Sequence, residues 1–461
     1  MELLSENISN DSNLLKENNA RYLLHPNAHP AQMEKDPPRI IVKGEGVWVE
    51  DIDGNRVVDG VAGLWSVNAG YGRTEIIDAI TAQARQLPYY SAFKGTSTPP
   101  PIELSAKLID LLAPEGMKKV FFSSGGSDAV ETALKLARQY WKVVGQLDRY
   151  KFISLRQGYH GTHFGGMSIN GAPNFRRPYE PCLPGCIQID TPWLYRNPYT
   201  ENEEELGELC AQLLEREIIA QGPDTVAAFI AEPVQGAGGV IVPPSNYWPR
   251  VREICDKYGV LLIADEIVTG FGRTGELFGC RLWDVKPDIM CLAKGLTSGY
   301  QPLGATTVNE RIADAFMNDK SSLGAIYHAY TYSGHPVACA AGIAALDLVL
   351  SDGQPENAAR EGAHLLERLK AFEDRFPNVG NVRGRGLMVA VDMVADKKTK
   401  ASLGRGSDLP AAVAQAAFDN GVMVRPVGGS VIILSPPLVI QRPEIDKLVD
   451  ALADAFDRVA A

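Results

Sequence analysis

Between about residues 65 and 330, apolar runs of about four to six residues alternate with longer segments of helical periodicity. The runs lie in the segments KKVFFSSGGSD, TVAAFIAEP, GVLLIADE and DIMCLAKG, and YWPRVREICDKYG is a helical segment between two of them. Apolar runs without polar alternation are typical of strands buried on both faces of a sheet. Because helices separate them, we predict an α/β domain with a mostly parallel central sheet and ligands at the carboxyl ends of its strands.

The two ends of the chain show shorter and more mixed patterns. Residues 1–20 carry little apolar periodicity and are expected to form a mobile or partner-wrapping arm. From Ile40, two alternating runs separated by Asp53-Gly54-Asn55 predict a hairpin in a small α+β region. A helix near Ala338–Leu350 is expected to lead away from the core into a second α+β unit that starts at about residue 355. The predicted parts are an N-terminal arm with part of the small domain at 1–64, a large domain at 65–335, and a linking helix with the C-terminal small domain at 336–461.

Composition and charge narrow the class of protein. The 461 residues include 45 Lys+Arg and 56 Asp+Glu, and the net charge of −11 disfavours binding to nucleic acid or to anionic membranes. No apolar run approaches about 18 residues, so no membrane-spanning segment is expected. The acidic, Asn-rich N-terminus does not resemble a signal peptide and the seven cysteines are scattered, so we expect a cytoplasmic protein without a disulfide framework. Cys182 and Cys186 form the one close pair and are expected to be separate thiols rather than metal ligands.

The first of four loops that follow predicted strands is rich in glycine and serine. It reads Ser123-Ser124-Gly125-Gly126-Ser127-Asp128 and precedes a helix that begins near Ala129. Small residues let the backbone approach an anion, and the N–H groups at a helix start favour a phosphate. The loop has neither a P-loop ending nor the GxGxxG pattern. A strand–helix turn with a Ser or Asp cap explains the same residues, so this motif alone does not show whether the loop binds a phosphate.

Two further loops place a charge directly after an apolar strand. Asp265, followed by Glu266, comes after one predicted strand, and Lys294 comes after the next. Each has an ordinary explanation, because a carboxylate can cap a helix and a lysine can extend to water. The small neighbours of the lysine, Ala293 and Gly295, leave room for a bulky group.

The fourth loop, Gly158-Tyr159-His160-Gly161, carries an aromatic residue beside glycines. Such a ring can stack on a flat ligand or pack within the protein. Together the four loops offer an amine for a Schiff base, a carboxylate for a pyridinium nitrogen, a phosphate cup and a stacking ring. This is the set of groups that pyridoxal 5′-phosphate (PLP) requires.

With these motifs in this order, the sequence resembles the class III, PLP-dependent aminotransferases of fold type I, and within them an amine (omega) transaminase that uses pyruvate. The resemblance runs from about residue 20 to the C-terminus and is most specific from Leu261 to Ala305. It implies a large PLP-binding domain, a small α+β domain built from both chain ends, and an obligate homodimer. The segments that carry it are GLWSVNAGYGR, FFSSGGSDAVET, GYHG, AEPVQGAGGVIVPP, LLIADEIVTGFGRTGELFG, LAKGLTSGYQPLGA and YTYSGHPVACA.

The resemblance also implies roles for individual residues. Lys294 would form the Schiff base with PLP, and Asp265 would pair with the pyridine nitrogen. Tyr159 and Ile267 would pack against opposite faces of the ring. The other implied site residues are Gly125, Gly126 and Ser127 at the phosphate, His160 and Glu232 nearby, Thr331 reaching the phosphate of the neighbouring subunit, Arg425 at the keto-acid carboxylate, Trp65 in the amine pocket, and the pocket candidates Asn27, Phe93 and Lys94.

Two departures from the family pattern bear on function. Ser124-Gly125 stands where many relatives carry a hydroxyl or Asn-Ser pair, and Asp128 stands where they carry Glu. Gly125 offers only its backbone, so one hydroxyl contact to the phosphate is expected to be missing. The segment Gln235-Gly236-Ala237-Gly238-Gly239 stands where ornithine and 4-aminobutyrate members carry a Glu that pairs with an active-site Arg. Ala237 cannot form that pair, which favours the pyruvate-using amine branch.

We therefore expect amino-group transfer from a primary amine or omega-amino acid to pyruvate, by a ping-pong mechanism through pyridoxamine phosphate. Taurine, β-alanine, putrescine-like diamines and larger hydrophobic amines all stay open as donors, and a tetramer stays open beside the dimer. An aminomutase or decarboxylase of the same fold is an alternative. A nicotinamide-dependent oxidoreductase and a non-catalytic cofactor-binding regulator are less favoured, because the GxGxxG pattern and a basic stripe are both lacking.

Overall fold

Short runs of buried residues form the strands of the protein. The computed structural model describes residues 12–404 and 406–460 and arranges their strands in three sheets. In chain order the strands are β1 (Ile41–Glu45), β2 (Trp48–Asp51), β3 (Arg56–Asp59), β4 (Met117–Ser123), β5 (Lys151–Leu155), β6 (Cys186–Ile189), β7 (Val226–Ala231), β8 (Leu261–Asp265), β9 (Ile289–Leu292), β10 (Gly304–Asn309), β11 (Val379–Gly384), β12 (Val389–Asp396), β13 (Ala401–Ser402), β14 (Val422–Met423), β15 (Arg425–Val427) and β16 (Val431–Leu434).

The largest sheet has seven strands in the order β4-β10-β9-β8-β7-β5-β6. Strand β8 pairs in parallel with β7 and β9, whereas β10 runs antiparallel between β4 and β9. All residues of β7, β8 and β9 are buried, which explains why their sequences lack polar alternation. The predicted mostly parallel sheet is confirmed, and the four loops identified in the sequence follow its strands.

Helices cover both faces of this sheet. Phe229 packs with the helices Glu203–Gln221 and Tyr247–Tyr258 on one face, and Ile230 packs with the helix Gly126–Val143 on the other. Successive side chains of a strand point to opposite faces, so one apolar run serves both layers. The α-helices are Ser12–Tyr22, Pro30–Lys35, Ala62–Trp65, Thr74–Gln86, Pro99–Leu111, Gly126–Val143, Phe164–Ile169, Glu203–Gln221, Tyr247–Tyr258, Glu310–Asn318, Pro336–Ser351, Gln354–Lys370, Phe372–Arg375, Leu409–Asp419 and Arg442–Ala460. The 3₁₀ turns are Pro173–Phe175, Arg177–Tyr179, Leu194–Arg196, Pro223–Thr225, Gly279–Trp283, Lys294–Thr297 and Ser322–Gly324.

The two ends of the chain meet in a smaller region. Strand β3 pairs in parallel with β14, so the N-terminal sheet β1-β2-β3 is completed by a strand from the C-terminal part. Strands β11, β12, β16 and β15 form the third sheet, with β13 paired to β12. Val47 and Val58 are buried in the same core as Ile445 and Leu448 of the last helix. A small α+β region from both chain ends is confirmed, whereas the predicted domain boundaries stay predictions.

The N-terminal hairpin differs in one respect from the sequence prediction. The turn at Asp53-Gly54-Asn55 joins β2 and β3 as expected. The run before it, however, breaks into two strands, because Gly46 adopts a positive φ of 58° and the chain turns between Glu45 and Trp48. The segment therefore forms three strands rather than two.

The helix predicted near Ala338–Leu350 spans Pro336–Ser351, and the expectation that it leads away from the core is wrong. Its residue Leu346 is buried in the same cluster as Leu104 of another helix. The helix is apolar nearly all round its circumference, which is typical of a helix buried on several sides. In the part of the chain that the structure describes, no single helix is long and apolar enough to cross a membrane. This helix and the segment Gln354–Arg375 reach that length and apolarity only as a pair bent by 60°.

Part of the predicted N-terminal arm is described by the structure. Residues 1–11 lie outside the described residues, and Ser12–Tyr22 forms a helix with no buried side chain. The weak apolar periodicity of this segment explains why no face of the helix is buried. The partner-wrapping role stays a prediction.

Candidate active site

A buried carboxylate–histidine pair lies at the carboxyl end of the central sheet. Asp265 is the last residue of β8, and its Oδ2 atom accepts a hydrogen bond of 2.7 Å from His160 Nδ1. Both side chains are at most 2% exposed. The other oxygen, Oδ1, accepts a hydrogen bond of 3.2 Å from the Ile267 N–H, which leaves lone pairs for a further donor. The His160 N–H donates to Asn170 Oδ1 at 2.6 Å, so the loop that orients Asp265 is itself fixed.

A second buried carboxylate, Glu232, follows β7 and joins two of the loops. Its Oε1 atom accepts a hydrogen bond of 3.0 Å from the Tyr159 N–H, and its Oε2 atom accepts one of 2.8 Å from the Gly236 N–H. Burial raises the pKa of Glu232 to about 7, with His160 acting against this shift and Asp265 adding to it. The carboxyl group of Glu232 therefore changes its protonation near neutral pH.

Lys294 begins a short 3₁₀ turn just after β9. Its φ of 47° lies in the left-handed region, which is unfavourable for a residue with a side chain. Burial lowers the pKa of Lys294 to about 8, and the negative charges of Asp265 and Glu232 oppose this shift. The positive charges of Arg273 and Arg425 act in the same direction as burial. A useful fraction of the amine is thus unprotonated near neutral pH, in the form that attacks an aldehyde or accepts a proton.

The glycine loop between β4 and the following helix leaves open space at the helix N-terminus. Gly125 has an extended backbone, and a Cβ at this position would meet nothing within 4 Å. At Gly126 a Cβ would lie 2.9 Å from Ile267 Cδ1, so the close approach of Ile267 requires glycine. Ser127 Oγ lies 3.4 Å from Thr162 Oγ1 and accepts a hydrogen bond of 3.1 Å from the Thr162 N–H. Helix N–H groups and hydroxyls at one place are the donors that a phosphate binds.

The ring of Tyr159 lies near the buried carboxylates. It packs against Phe175 with 4.9 Å between the ring centroids and 59° between the planes. Burial raises the pKa of the Tyr159 hydroxyl, and the charges of Asp265 and Glu232 raise it further. The hydroxyl therefore stays protonated at neutral pH, and the stacking role of the ring stays a prediction.

Arg425 lies on the C-terminal side of the site, at the start of β15. It is half-buried, burial lowers its pKa, and its side chain has no ion-pair partner among the described residues. Its cross-strand neighbour Ile433 belongs to the same apolar cluster as Trp65 and Met388. The guanidinium is therefore available to a carboxylate ligand, and an apolar wall lies beside it.

Four residues predicted for the pocket or the phosphate lie on the surface of this chain. They are Asn27, Phe93, Lys94 and Thr331. The Thr331 carbonyl oxygen accepts a hydrogen bond of 2.6 Å from the Tyr89 hydroxyl, which fixes its backbone. Among the contacts of the described residues, none joins these four side chains to Asp265 or Lys294. Their roles stay predictions.

Several residues that shape the site were not identified from the sequence. Asn170 orients the His160 backbone, Phe175 packs against Tyr159, and Arg273 places a charge near Lys294. These contacts join separate loops, and a single sequence shows no pattern for them. Thr162 alone had a signal, because it directly follows the GYHG loop.

The chemistry of these groups fits PLP. Asp265 has lone pairs left for a protonated ring nitrogen, and Lys294 lies close enough for the charge of Asp265 to affect its pKa. The open cradle at Gly125 suits a phosphate, and Ile267 and Tyr159 provide surfaces for a flat ring. No group of three or more metal-ligating side chains occurs in the described part of the chain.

Comparison with known proteins agrees with this fit. The family model of class-III aminotransferases matches residues 30–456. This chain belongs to the class III aminotransferases. The chain is 42% identical over 431 residues to the putrescine–pyruvate aminotransferase of Pseudomonas aeruginosa, with 93% of each chain covered.

Solved structures of other aminotransferases have the same fold. An amine transaminase from an uncultivated Pseudomonas species, solved in its PLP-bound form, is similar with a TM-score of 0.94 and 51% identity. The match covers 95% of this chain and 99% of that one. An (S)-enantioselective omega-transaminase from Thermomicrobium roseum is similar with a TM-score of 0.94 and 42% identity over 98% of this chain and 99% of that one.

This aminotransferase is therefore an enzyme of PLP fold type I, and PLP is its cofactor. The predicted family, enzyme class and cofactor are confirmed. When PLP is bound, Lys294 would hold its aldehyde, Asp265 its ring nitrogen and the Gly126–Ser127 loop its phosphate, and these residue roles stay predictions.

Proposed function

We propose that this aminotransferase moves an amino group from a primary amine or omega-amino acid to pyruvate, giving alanine and an aldehyde or ketone. The observation that supports a keto acid as acceptor is the environment of Arg425. This half-buried cation has no ion-pair partner among the described residues, and it is near enough to Lys294 to lower the pKa of that lysine. The similarity to a putrescine–pyruvate aminotransferase supports an amine donor with pyruvate as acceptor, and the similarity to an amine transaminase supports the amine donor. Taurine and β-alanine stay possible donors.

The environment of Arg425 suits a small keto acid. Its planar guanidinium pairs with a carboxylate through two parallel hydrogen bonds. Ala237 carries no carboxylate that could occupy it instead. The apolar wall around Trp65 and Ile433 matches the methyl group of pyruvate or the apolar body of an amine. Both substrates use one site in turn, so Arg425 binds the carboxylate in one half-reaction and leaves the donor uncontacted in the other.

PLP and the buried side chains would each have a separate role in the amino-group transfer. PLP, when bound, supplies an aldehyde that condenses with amines and a ring that takes up the electron pair released at the substrate carbon. Lys294 then carries the proton, and a pKa of about 8 lets it act as base and as acid near neutral pH. Asp265 keeps the proton on the ring nitrogen, and His160 orients Asp265 through their 2.7 Å hydrogen bond.

We further propose a homodimer in which Thr331 reaches the phosphate of the neighbouring site. Thr331 lies between two exposed aromatic residues, Tyr327 at 91% and Tyr332 at 57% exposure. The ring of Tyr332 contacts that of Tyr89, and Phe93 on the same segment is 50% exposed. Exposed apolar surface concentrated in one region is typical of a protein–protein interface. A second copy of the chain would cover it and bring in the Thr331 hydroxyl; a tetramer stays open.

We also propose that the enzyme works in the cytoplasm. All seven cysteines are free thiols, which suits a reducing compartment. The net charge of −11 argues against nucleic acid and anionic membranes as binding partners.

An acceptor assay with an Arg425→Ala variant tests the proposed function. We expect the kcat/KM for pyruvate to fall about 100-fold, because a charge-assisted pair is lost. The half-reaction with an aryl amine should change less than about threefold, since an uncharged donor does not need the guanidinium. Alanine and carbonyl product should appear in equal amounts.

The matched control is Arg458→Ala, which removes an exposed arginine of the last helix that pairs with Asp419. It should leave both half-reactions unchanged. Equal losses for pyruvate and for the aryl amine in Arg425→Ala would contradict the role of Arg425. Carbonyl product without alanine would point instead to a decarboxylase or an aminomutase.

A further inference from the structure

A fully buried arginine lies near the turn that carries Lys294. Arg273 is 0% exposed, and among the described residues no carboxylate accepts a hydrogen bond from it. Its Nη1 atom donates to the carbonyl oxygens of Leu387 and Pro436 at 3.0 and 2.5 Å, and its Nη2 atom donates to Asn68 Oδ1 at 2.9 Å. A buried cation held by neutral acceptors is costly for folding, which points to a role in the site.

Asn68 connects Arg273 to the lysine turn. While its Oδ1 atom accepts from Arg273, its Nδ2 atom donates to the Phe271 carbonyl oxygen at 3.1 Å. The same amide lies against Gly295, where a Cβ would fall 2.5 Å from Nδ2. Gly295 directly follows Lys294, whose φ of 47° persists only if its surroundings hold it. The Asn68 amide is part of those surroundings.

The same guanidinium holds the C-terminal part of the site. Pro436 lies just after β16, and β16 pairs with β15, which begins at Arg425. The Leu387 N–H donates back to the Arg273 carbonyl oxygen at 3.1 Å. Arg273 therefore joins the segment that carries Lys294 to the segment that carries Arg425.

Arg273 also contributes a charge. It acts on Lys294 together with the other charged groups that face this lysine, which are Asp265, Glu232 and Arg425. Burial lowers the pKa of Arg273 to about 9, and the negative charge of Asp59 opposes this shift. Because like charges repel, the guanidinium disfavours a proton on the lysine nitrogen.

We propose that Arg273, acting through Asn68, is a positioning residue for transamination: it holds the Lys294 turn in its left-handed conformation, and its guanidinium adds a positive charge on the lysine side of the site. The proposal rests on Lys294 being the residue that binds PLP. The two effects are separable, since positioning needs the Asn68 amide and the charge effect needs only a cation.

Three variants of the PLP-loaded enzyme distinguish the positioning of the Lys294 turn from the effect of the Arg273 charge on the lysine nitrogen. Arg273→Met removes the cation and its hydrogen bonds, Arg273→Lys keeps an amine that carries part of the charge, and Asn68→Ala removes the bridging amide. The readouts are the pH midpoint of the visible absorbance of bound PLP, which reports protonation of the Lys294 nitrogen, and kcat and KM for pyruvate.

We expect Arg273→Met to raise the pH midpoint by about one unit, because the cation no longer disfavours the proton. Arg273→Lys should move the midpoint less than Arg273→Met does, because a buried lysine at this position keeps only part of the positive charge. Asn68→Ala should keep the midpoint and lower kcat about tenfold, with little change in KM, because the lysine is misplaced while the substrate site is intact. Arg281→Met, which removes a partly buried arginine paired with Glu115, is the control and should not move the midpoint.

An unchanged midpoint in Arg273→Met, or an unchanged kcat in Asn68→Ala, would overturn the proposal. If Arg273→Met does not fold, Asn68→Asp takes its place: a carboxylate paired with Arg273 offsets its charge, and an unmoved midpoint there would also overturn the proposal. Borohydride reduction of the wild-type enzyme distinguishes a wrong assignment of Lys294 from a wrong role for Arg273. Absence of an adduct on Lys294 would overturn the lysine assignment and this inference together, whereas an adduct with unmoved midpoints would overturn this inference alone.

Discussion

The floor and the rim of the active site are built in different ways. The floor consists of Asp265, His160, Glu232 and Lys294. The rim consists of Asn27, Phe93 and Thr331. The carboxylates and the histidine of the floor are buried and hydrogen-bonded within the chain, whereas the rim side chains are exposed and lie on loops. The floor residues thus come from one chain, whereas the rim residues would join a site only in the proposed homodimer.

The floor residues and the rim residues are positioned by different parts of the structure. The floor residues follow buried strands, so the sheet that buries the apolar runs also brings them together. The rim residues have no such frame, and their positions toward a ligand depend on the proposed dimer. Substitutions in the floor should therefore abolish catalysis. Substitutions in the rim should weaken binding of the ligand, and an unsubstituted neighbouring subunit should restore it.

The largest effect is expected for Lys294→Ala. Alanine formation should fall at least about 10³-fold, because no other group at that position can carry the proton. PLP should still bind, which its visible absorbance checks. Lys257→Ala, at an exposed lysine paired with Glu215, should keep full activity. Appreciable transamination by Lys294→Ala would refute the assignment.

A somewhat smaller loss is expected for Asp265→Asn. The kcat should fall about 10²- to 10³-fold, because an amide does not keep a proton on the ring nitrogen. The neighbouring carboxylate gives a sharp control: Glu266 accepts hydrogen bonds from Thr269 Oγ1 and from the N–H groups of Gly279 and Cys280. Glu266→Gln should reduce thermal stability rather than kcat, and an equal fall in kcat for both variants would contradict the role of Asp265.

At the rim, Thr331→Ala should weaken PLP binding about tenfold, because one hydroxyl contact is lost. The measurement is activity at limiting PLP after mixing subunits. Combining Thr331→Ala chains with Lys294→Ala chains should restore activity, since a mixed dimer holds one site with both residues intact. If mixing restores nothing while the chains do exchange, Thr331 does not reach a neighbouring site.

The last prediction concerns stability rather than activity, and the residue is Glu232. Its pKa is raised from 4.5 to about 7, so the folded state holds the proton more tightly than the unfolded state. The free energy of unfolding should therefore fall by up to about 3 kcal/mol as pH rises from about 4.5 to about 7. In Glu232→Gln this fall should be absent, which urea unfolding at pH 5 and pH 8 measures. Glu253→Gln, at an exposed site, should keep the wild-type dependence, and the same dependence in Glu232→Gln would contradict the shift.

The sequence predicted the floor better than the rim for a physical reason. Asp265 and Lys294 directly follow apolar runs, and such runs indicate buried parallel strands whose ends meet. Arg273 lies in the segment LLIADEIVTGFGRTGELFG that carries the resemblance, but its contacts could not be predicted, since its acceptors at Leu387 and Pro436 lie far along the chain. Its bridge through Asn68 is likewise a tertiary contact.

The same limit applies to the fold. The alternation of strands and helices predicted the central sheet, because each run lies in one element. The apolar circumference of the helix Pro336–Ser351 indicates its burial, but its packing partner did not follow from its sequence, since Leu104 belongs to a distant helix. The break at Gly46 was missed because alternation continues through the glycine while its φ turns the chain.

The chemistry assigned to the floor depends on one covalent bond, between the ε-nitrogen of Lys294 and PLP. Borohydride reduction of the PLP-loaded enzyme, followed by peptide mapping by mass spectrometry, measures it. We predict a single phosphopyridoxyl adduct, on the peptide that contains Lys294. Its absence there, or an adduct on another lysine, would contradict the assignment.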